Sequence, residues 1–138
     1  MTGAQLAAAA KALIGCQFRL HGRDPRSGLD CIGVLAVALE RAGCSAPIPN
    51  GYALRNRDAA RFAALAAPCG FAPAEGAFAA GDVAVWHAGP GQFHLGVALG
   101  PDAFVHAHAG LRRVVSGAAD PGWRLAGHWR PDPAIRQD

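Results

Sequence analysis

Apolar positions follow helical spacing in the first half of the chain and short alternating runs in the second. Residues 3–14 (GAQLAAAAKALI) place Leu6, Ala10, Leu13 and Ile14 on one stripe, and Gly15 is a natural stop. A glycine-, arginine- and proline-rich stretch, residues 16–28, reads as an irregular loop with a turn at Asp24-Pro25. A second helix is expected from Cys31 to about Ala42, ending at Gly43, with Asp30 as its N-cap. Residues 45–52 form a connection. Asp58 to Ala67 is amphipathic, with Phe62 and Leu65 inward and Arg55, Arg57 and Arg61 outward, and Pro68-Cys69-Gly70 ends it. From Gly81-Asp82 on, the pattern changes to strands: Val83–Trp86, Phe93–Leu99, Ala103–Ala107, Leu111–Val115 and Arg124–Trp129. Helices first and short antiparallel strands second is an α+β layout, with N-terminal helices packed on a C-terminal antiparallel sheet of about five strands.

At 138 residues, 51% hydrophobic and 17% charged, the sequence is expected to form one folded domain over 1–138, with a polar, frayed tail from 131 to 138. The net charge of +3 comes without a basic run, so nucleic-acid binding is not indicated. No stretch reaches the length of a membrane span. The N-terminus has no basic segment ahead of an apolar one and does not read as a signal peptide, so the expected location on synthesis is a reducing cytosol. There, four cysteines without a CxxC pair suggest neither a disulfide framework nor a structural zinc.

Cys31 directly follows Asp30 and falls in the first turn of the second helix. The positive end of a helix favours thiolate, so its pKa is expected to fall. From this stretch alone a buried structural cysteine is an equal reading. Two histidines change the picture. His94 lies near the start of one strand and His106 near the end of the next, so a hairpin can bring them across from each other. His94 would take the thiol proton and His106 would fix its tautomer, which is triad logic with a neutral third member. The main-chain N–H of Cys31 would stabilise an oxyanion.

Three motifs, FRLHGRDPRSGLDCIGV, GDVAVW and HLGVALGPDAFVHA, together resemble the NlpC-type cysteine peptidases of bacterial cell walls. The resemblance spans about residues 5–130 and implies a papain-like fold, with Cys31, His94 and His106 at the matching catalytic positions. It implies hydrolysis of an amide in the peptidoglycan stem peptide, commonly the γ-D-glutamyl to diamino acid bond, with no cofactor. The chain departs from the family at Ile32, where Ser is usual, and at Phe18, where Tyr is frequent. The loop around His21 is most similar to short peptidases encoded with phage tails and gene-transfer agents, which implies phage-like tail proteins as partners and a phage-like particle as one route to the wall.

Asp30, Phe18, His21 and Arg23 are the candidates for substrate contact, Asp30 also being a helix cap. His94, His106 and His108 offer an alternative as a three-histidine zinc site, which leaves Cys31 without a role. Cys16, Cys44 and Cys69 read as small core or loop residues, and Trp86, Trp123 and Trp129 as core or sheet-face residues. Two further functions stay open: a structural component of a phage-like tail tip with weak or lost activity, and an amidase or acyltransferase on another substrate.

Overall fold

The computed structural model describes residues 1–44, 67–90 and 92–132. The amphipathic segment at 58–67 and the connection at 45–52 therefore lie outside the described residues, apart from Ala67. Helix α1 spans Gly3–Lys11. Thr2 caps it through a reciprocal box: Thr2 Oγ1 accepts from Gln5 N at 3.1 Å, and Gln5 Oε1 accepts from Thr2 N at 2.8 Å. Helix α2 spans Cys31–Arg41 and buries Ile32, Val34, Leu35, Val37, Ala38 and Leu39.

The stretch before α2 is more regular than its composition predicts. Strands β1 (Arg23–Asp24) and β2 (Gly28–Leu29) form a small antiparallel hairpin. Asp24 Oδ1 accepts from Arg26 N at 2.9 Å and closes the turn. Two-residue strands leave no alternation to read.

The main sheet has six strands, one more than expected: β3 (Phe71–Pro73), β4 (Val83–Gly89), β5 (Gln92–Ala98), β6 (Phe104–His108), β7 (Arg113–Gly117) and β8 (Arg124–Pro131). Their order is β3-β8-β4-β5-β6-β7, with every neighbouring pair antiparallel. The extra strand, β3, is three residues long and ends in proline, which suits an edge. It also corrects the expected frayed tail. Pro131 pairs with Phe71, and Asp132 N donates to Gly70 O at 2.8 Å, so 131–132 are held; the rest of that tail, 133–138, lies outside the described residues.

The pleat sorts the sheet into two faces. Val83, Val85, Leu95, Val97 and Val105 pack with Leu6, Leu13, Ile32 and Leu35 of the helical layer. Ala84, Trp86, Ala98 and Phe104 form a second cluster with Phe78 and Trp123. Asp82 secures the start of β4. It is fully buried and accepts from His128 Nε2 at 2.6 Å, Arg130 Nε at 2.9 Å and Ala79 N at 2.9 Å. Burial pushes its carboxyl up, but the bonds from Arg130, Ala79 and His128 outweigh that and hold it below the usual value.

The first turn of α2 sits hard against the preceding loop. A Cβ on Gly33 would stand 2.1 Å from the Gly22 carbonyl oxygen. Helix propensity alone says that Gly33→Ala stabilises by about 1 kcal/mol. The backbone clash reverses the sign, and we expect a net loss of about 1–3 kcal/mol in urea unfolding. A stabilised variant would show that the loop yields.

Candidate active site

Asp30 organises the entry to α2. Its Oδ1 accepts from Gly33 N at 2.8 Å and from Arg23 Nη1 at 2.7 Å, and its Oδ2 accepts from His21 N at 2.9 Å. The carboxylate is buried and both oxygens are taken, so its work is internal: it caps the helix and holds the loop. Arg23 shares that bond and is part-buried. His21 is exposed and has a left-handed backbone, φ 61°. Phe18 is part-buried; its N–H donates to Arg112 O at 3.0 Å, tying the loop to the turn before β7.

Cys31 is seated where the sheet parts. Strands β5 and β6 pair only at Val97↔Val105 and Ala98↔Phe104, beside their connecting turn. Beyond that they separate, and α2 packs against both. The main-chain N–H groups of Leu95 and Ile32 lie near enough to Cys31 to favour its thiolate. Leu95 directly follows His94, so the thiol lies against the main chain next to the candidate base.

The pKa of Cys31 moves opposite to the sequence expectation. Burial, and then the Asp30 carboxylate, push the thiol up to about 12, against smaller lowering by Leu95 N–H, Ile32 N–H and Arg23. That rise corresponds to roughly 4 kcal/mol against the thiolate, less as far as solvent reaches this part-buried residue. A helix terminus supplies about 0.3–2 kcal/mol and loses that contest.

His94 Nε2 lies 2.9 Å from His106 Nδ1. The bond is diagonal: in the β5–β6 register His106 would face Gly96, not His94. Gly96 makes room, because a Cβ there would meet the Trp86 ring at 3.1–3.2 Å. Trp123 lies 4.7 Å from the His94 ring and 6.3 Å from that of His106, and Trp86 stacks on His94 at 6.4 Å. These aromatics cover part of the histidine pair. Burial first, then His106 and His108, push His94 down to about 4; burial and His108 also lower His106. Sequence alone did not link Trp123 to the pair, since it follows a Pro-Gly turn far from either histidine.

His94 and His106 spend a ring nitrogen on each other, and His108 Nδ1 accepts from Leu111 N at 3.0 Å. Among the described residues, no three His, Cys, Asp or Glu side chains are arranged to hold a metal. Cys44 and Cys69 lie in the core, with their side chains against each other, and Cys16 is part-buried. No helix among the described residues is long and apolar enough to cross a membrane.

The solved structures similar to this chain include NlpC/p60 domains. The NlpC/p60 domain of the peptidoglycan hydrolase SagA superposes with a TM-score of 0.66 at 24% identity, covering 96% of this chain and 100% of that domain. NlpC2 from Trichomonas vaginalis gives 0.69 at 20% identity, and an NlpC/P60 family protein from Bacillus cereus gives 0.65 at 19%. The chain spans 45% and 39% of those two longer proteins. No family profile and no curated protein matches it by sequence. The chain thus has the α+β, papain-like fold of NlpC/p60 domains, as its motifs implied.

The depressed His94 pKa sets a pH dependence. The folded state holds the imidazole neutral down to about 4, whereas the unfolded chain binds its proton near 6.5. The unfolded state therefore binds more protons in this window, and stability is lost as pH falls from about 6.5 towards 4. The shift corresponds to up to about 3 kcal/mol. Urea midpoints should drop across this range in the wild type and drop less in His94→Gln. A wild type that is flat there would refute a buried neutral imidazole.

Proposed function

We propose that this chain is a single catalytic domain of the NlpC-type family, a cysteine peptidase that hydrolyses the γ-D-glutamyl to diamino acid amide of peptidoglycan stem peptides. The observation that carries this reading is the 2.9 Å His94–His106 bond beside a helix-terminal cysteine. His94 Nε2–H donates to His106 Nδ1, which leaves His94 Nδ1 unprotonated as the base. Thiol and imidazole both start neutral, so proton transfer accompanies attack instead of preceding it. Sulfur bonds to the substrate carbonyl while His94 Nδ1 takes the thiol proton. The main-chain N–H of Cys31, at the start of α2, receives the oxyanion. His94 then protonates the departing amine, leaving a thioacyl-enzyme. Water, deprotonated by His94, releases the acid and the free thiol.

In this scheme Cys31→Ala abolishes muropeptide cleavage, and His94→Ala lowers kcat by about 100- to 10,000-fold. His106→Ala loses less, and His106→Asn recovers part of it, because an amide oxygen can still accept from His94. Intact cleavage by Cys31→Ala would end the assignment.

The neutral thiol also favours a second reading, a binding component with weak or lost hydrolysis. Turnover of a bound stem peptide separates the two, whereas alkylation of Cys31 by iodoacetamide reads only the resting thiol. Without substrate it should be slow at pH 7 and still rising above pH 9. A bound stem peptide that accelerates turnover without such a resting thiolate supports the enzyme, whereas binding with no turnover supports the alternative.

A further inference from the structure

A cleft of about 430 Å³ opens at the end of the β4–β5 hairpin, lined by His87, Ala88, Gly89, Pro90, Gly122 and Arg124. We propose that it is a carboxylate subsite for the substrate peptide, with Arg124 as its cation and His87 as a second donor. The proposal rests on the peptide-hydrolase reading above.

The placement of Arg124 depends on a bulge. Strand β8 pairs Val85 with Gly127, but its register against β4 shifts between Val85 and Trp86, so that Trp86 meets Leu125 and His87 meets Arg124. Without that shift, Leu125 would stand opposite His87 and the cleft wall would be apolar. Bulges re-aim side chains in this way beside active sites. Directly paired residues stand side by side on one face, so the guanidinium and the imidazole converge. The His87 ring is braced on Phe93 at 4.6 Å.

The cation is available. Arg124 is exposed, and no described carboxylate pairs with it. The nearby acid Asp120 is turned onto Gly122 N at 2.8 Å and does not line the cleft. Gly89 and Gly122 present bare backbone, leaving width for a peptide. The cleft is tied to the candidate site through β5: His87 pairs with Phe93, the residue before His94, and Phe93 and Cys31 both pack against the main core. A peptide held at Cys31 and running past Phe93 along this side of β5 reaches Arg124. The planar guanidinium matches a carboxylate in two parallel bonds. A γ-linked glutamyl residue necessarily leaves its α-carboxylate free, and the acceptor peptide ends in another.

The test measures binding, independently of turnover. The full chain carrying Cys31→Ala is titrated by calorimetry with a synthetic stem tetrapeptide and with its fully amidated form. We expect the acid form to bind about tenfold tighter, with the preference narrowing at high salt. Arg124→Gln on the same background should erase the preference while leaving the affinity for the amide unchanged, and Arg124→Lys should keep part of it. Equal affinities for the two peptides, no binding of either, or a preference that survives Arg124→Gln would overturn the subsite. If wild type fails to cleave yet the acid preference follows Arg124, the hydrolase reading fails and the subsite stands. Cleavage without the preference gives the reverse.

Discussion

A single buried carboxylate holds the candidate site together. Asp30 ends a loop, begins a helix and neutralises an arginine in the same three contacts, to Gly33 N, His21 N and Arg23. A buried carboxylate is costly unless its lone pairs are filled, and here they are filled by groups that define the chain path on both sides of Cys31. The cost extends to the neighbour, because the charge that fixes the cysteine in place also opposes its ionisation. Position and reactivity pull against each other at adjacent residues.

That tension gives the site its electrostatic character. Packing that aligns His94 with His106 also dries them, and drying favours the uncharged forms of imidazole and thiol alike. A carboxylate as third member would hold the imidazolium more strongly than a histidine can. The arrangement is preorganised in geometry but not in charge, so substrate polarity must contribute to charge separation.

Much of this was legible in the sequence, and what was missed has physical reasons. The start of α2 follows from Asp30 and an apolar run, and β4, β5 and β6 follow from alternation against turn signals. The β1–β2 hairpin and β3 are too short to show a period, and β3 gains its place only by pairing with β8. The fourth expected strand starts two residues late because Arg112 takes a left-handed turn, φ 58°. The His94–His106 contact was foreseen but its diagonal route was not, since the parting of β5 and β6 depends on a helix inserted from elsewhere in the chain. The thiol pKa was misjudged because sequence reveals a helix end but not how densely it is packed.

The loop ahead of Cys31 is stitched to β7 by main-chain bonds: Gly15 N to Val114 O at 2.9 Å, Val114 N to Cys16 O at 2.8 Å and Phe18 N to Arg112 O at 3.0 Å. These partners are almost a hundred residues apart, and such closures come late and slowly in folding. During synthesis the segment carrying Cys31 leaves the ribosome well before the strand that fastens it. A nascent or truncated chain lacking β7 therefore carries the cysteine without the main-chain bonds that fasten its loop.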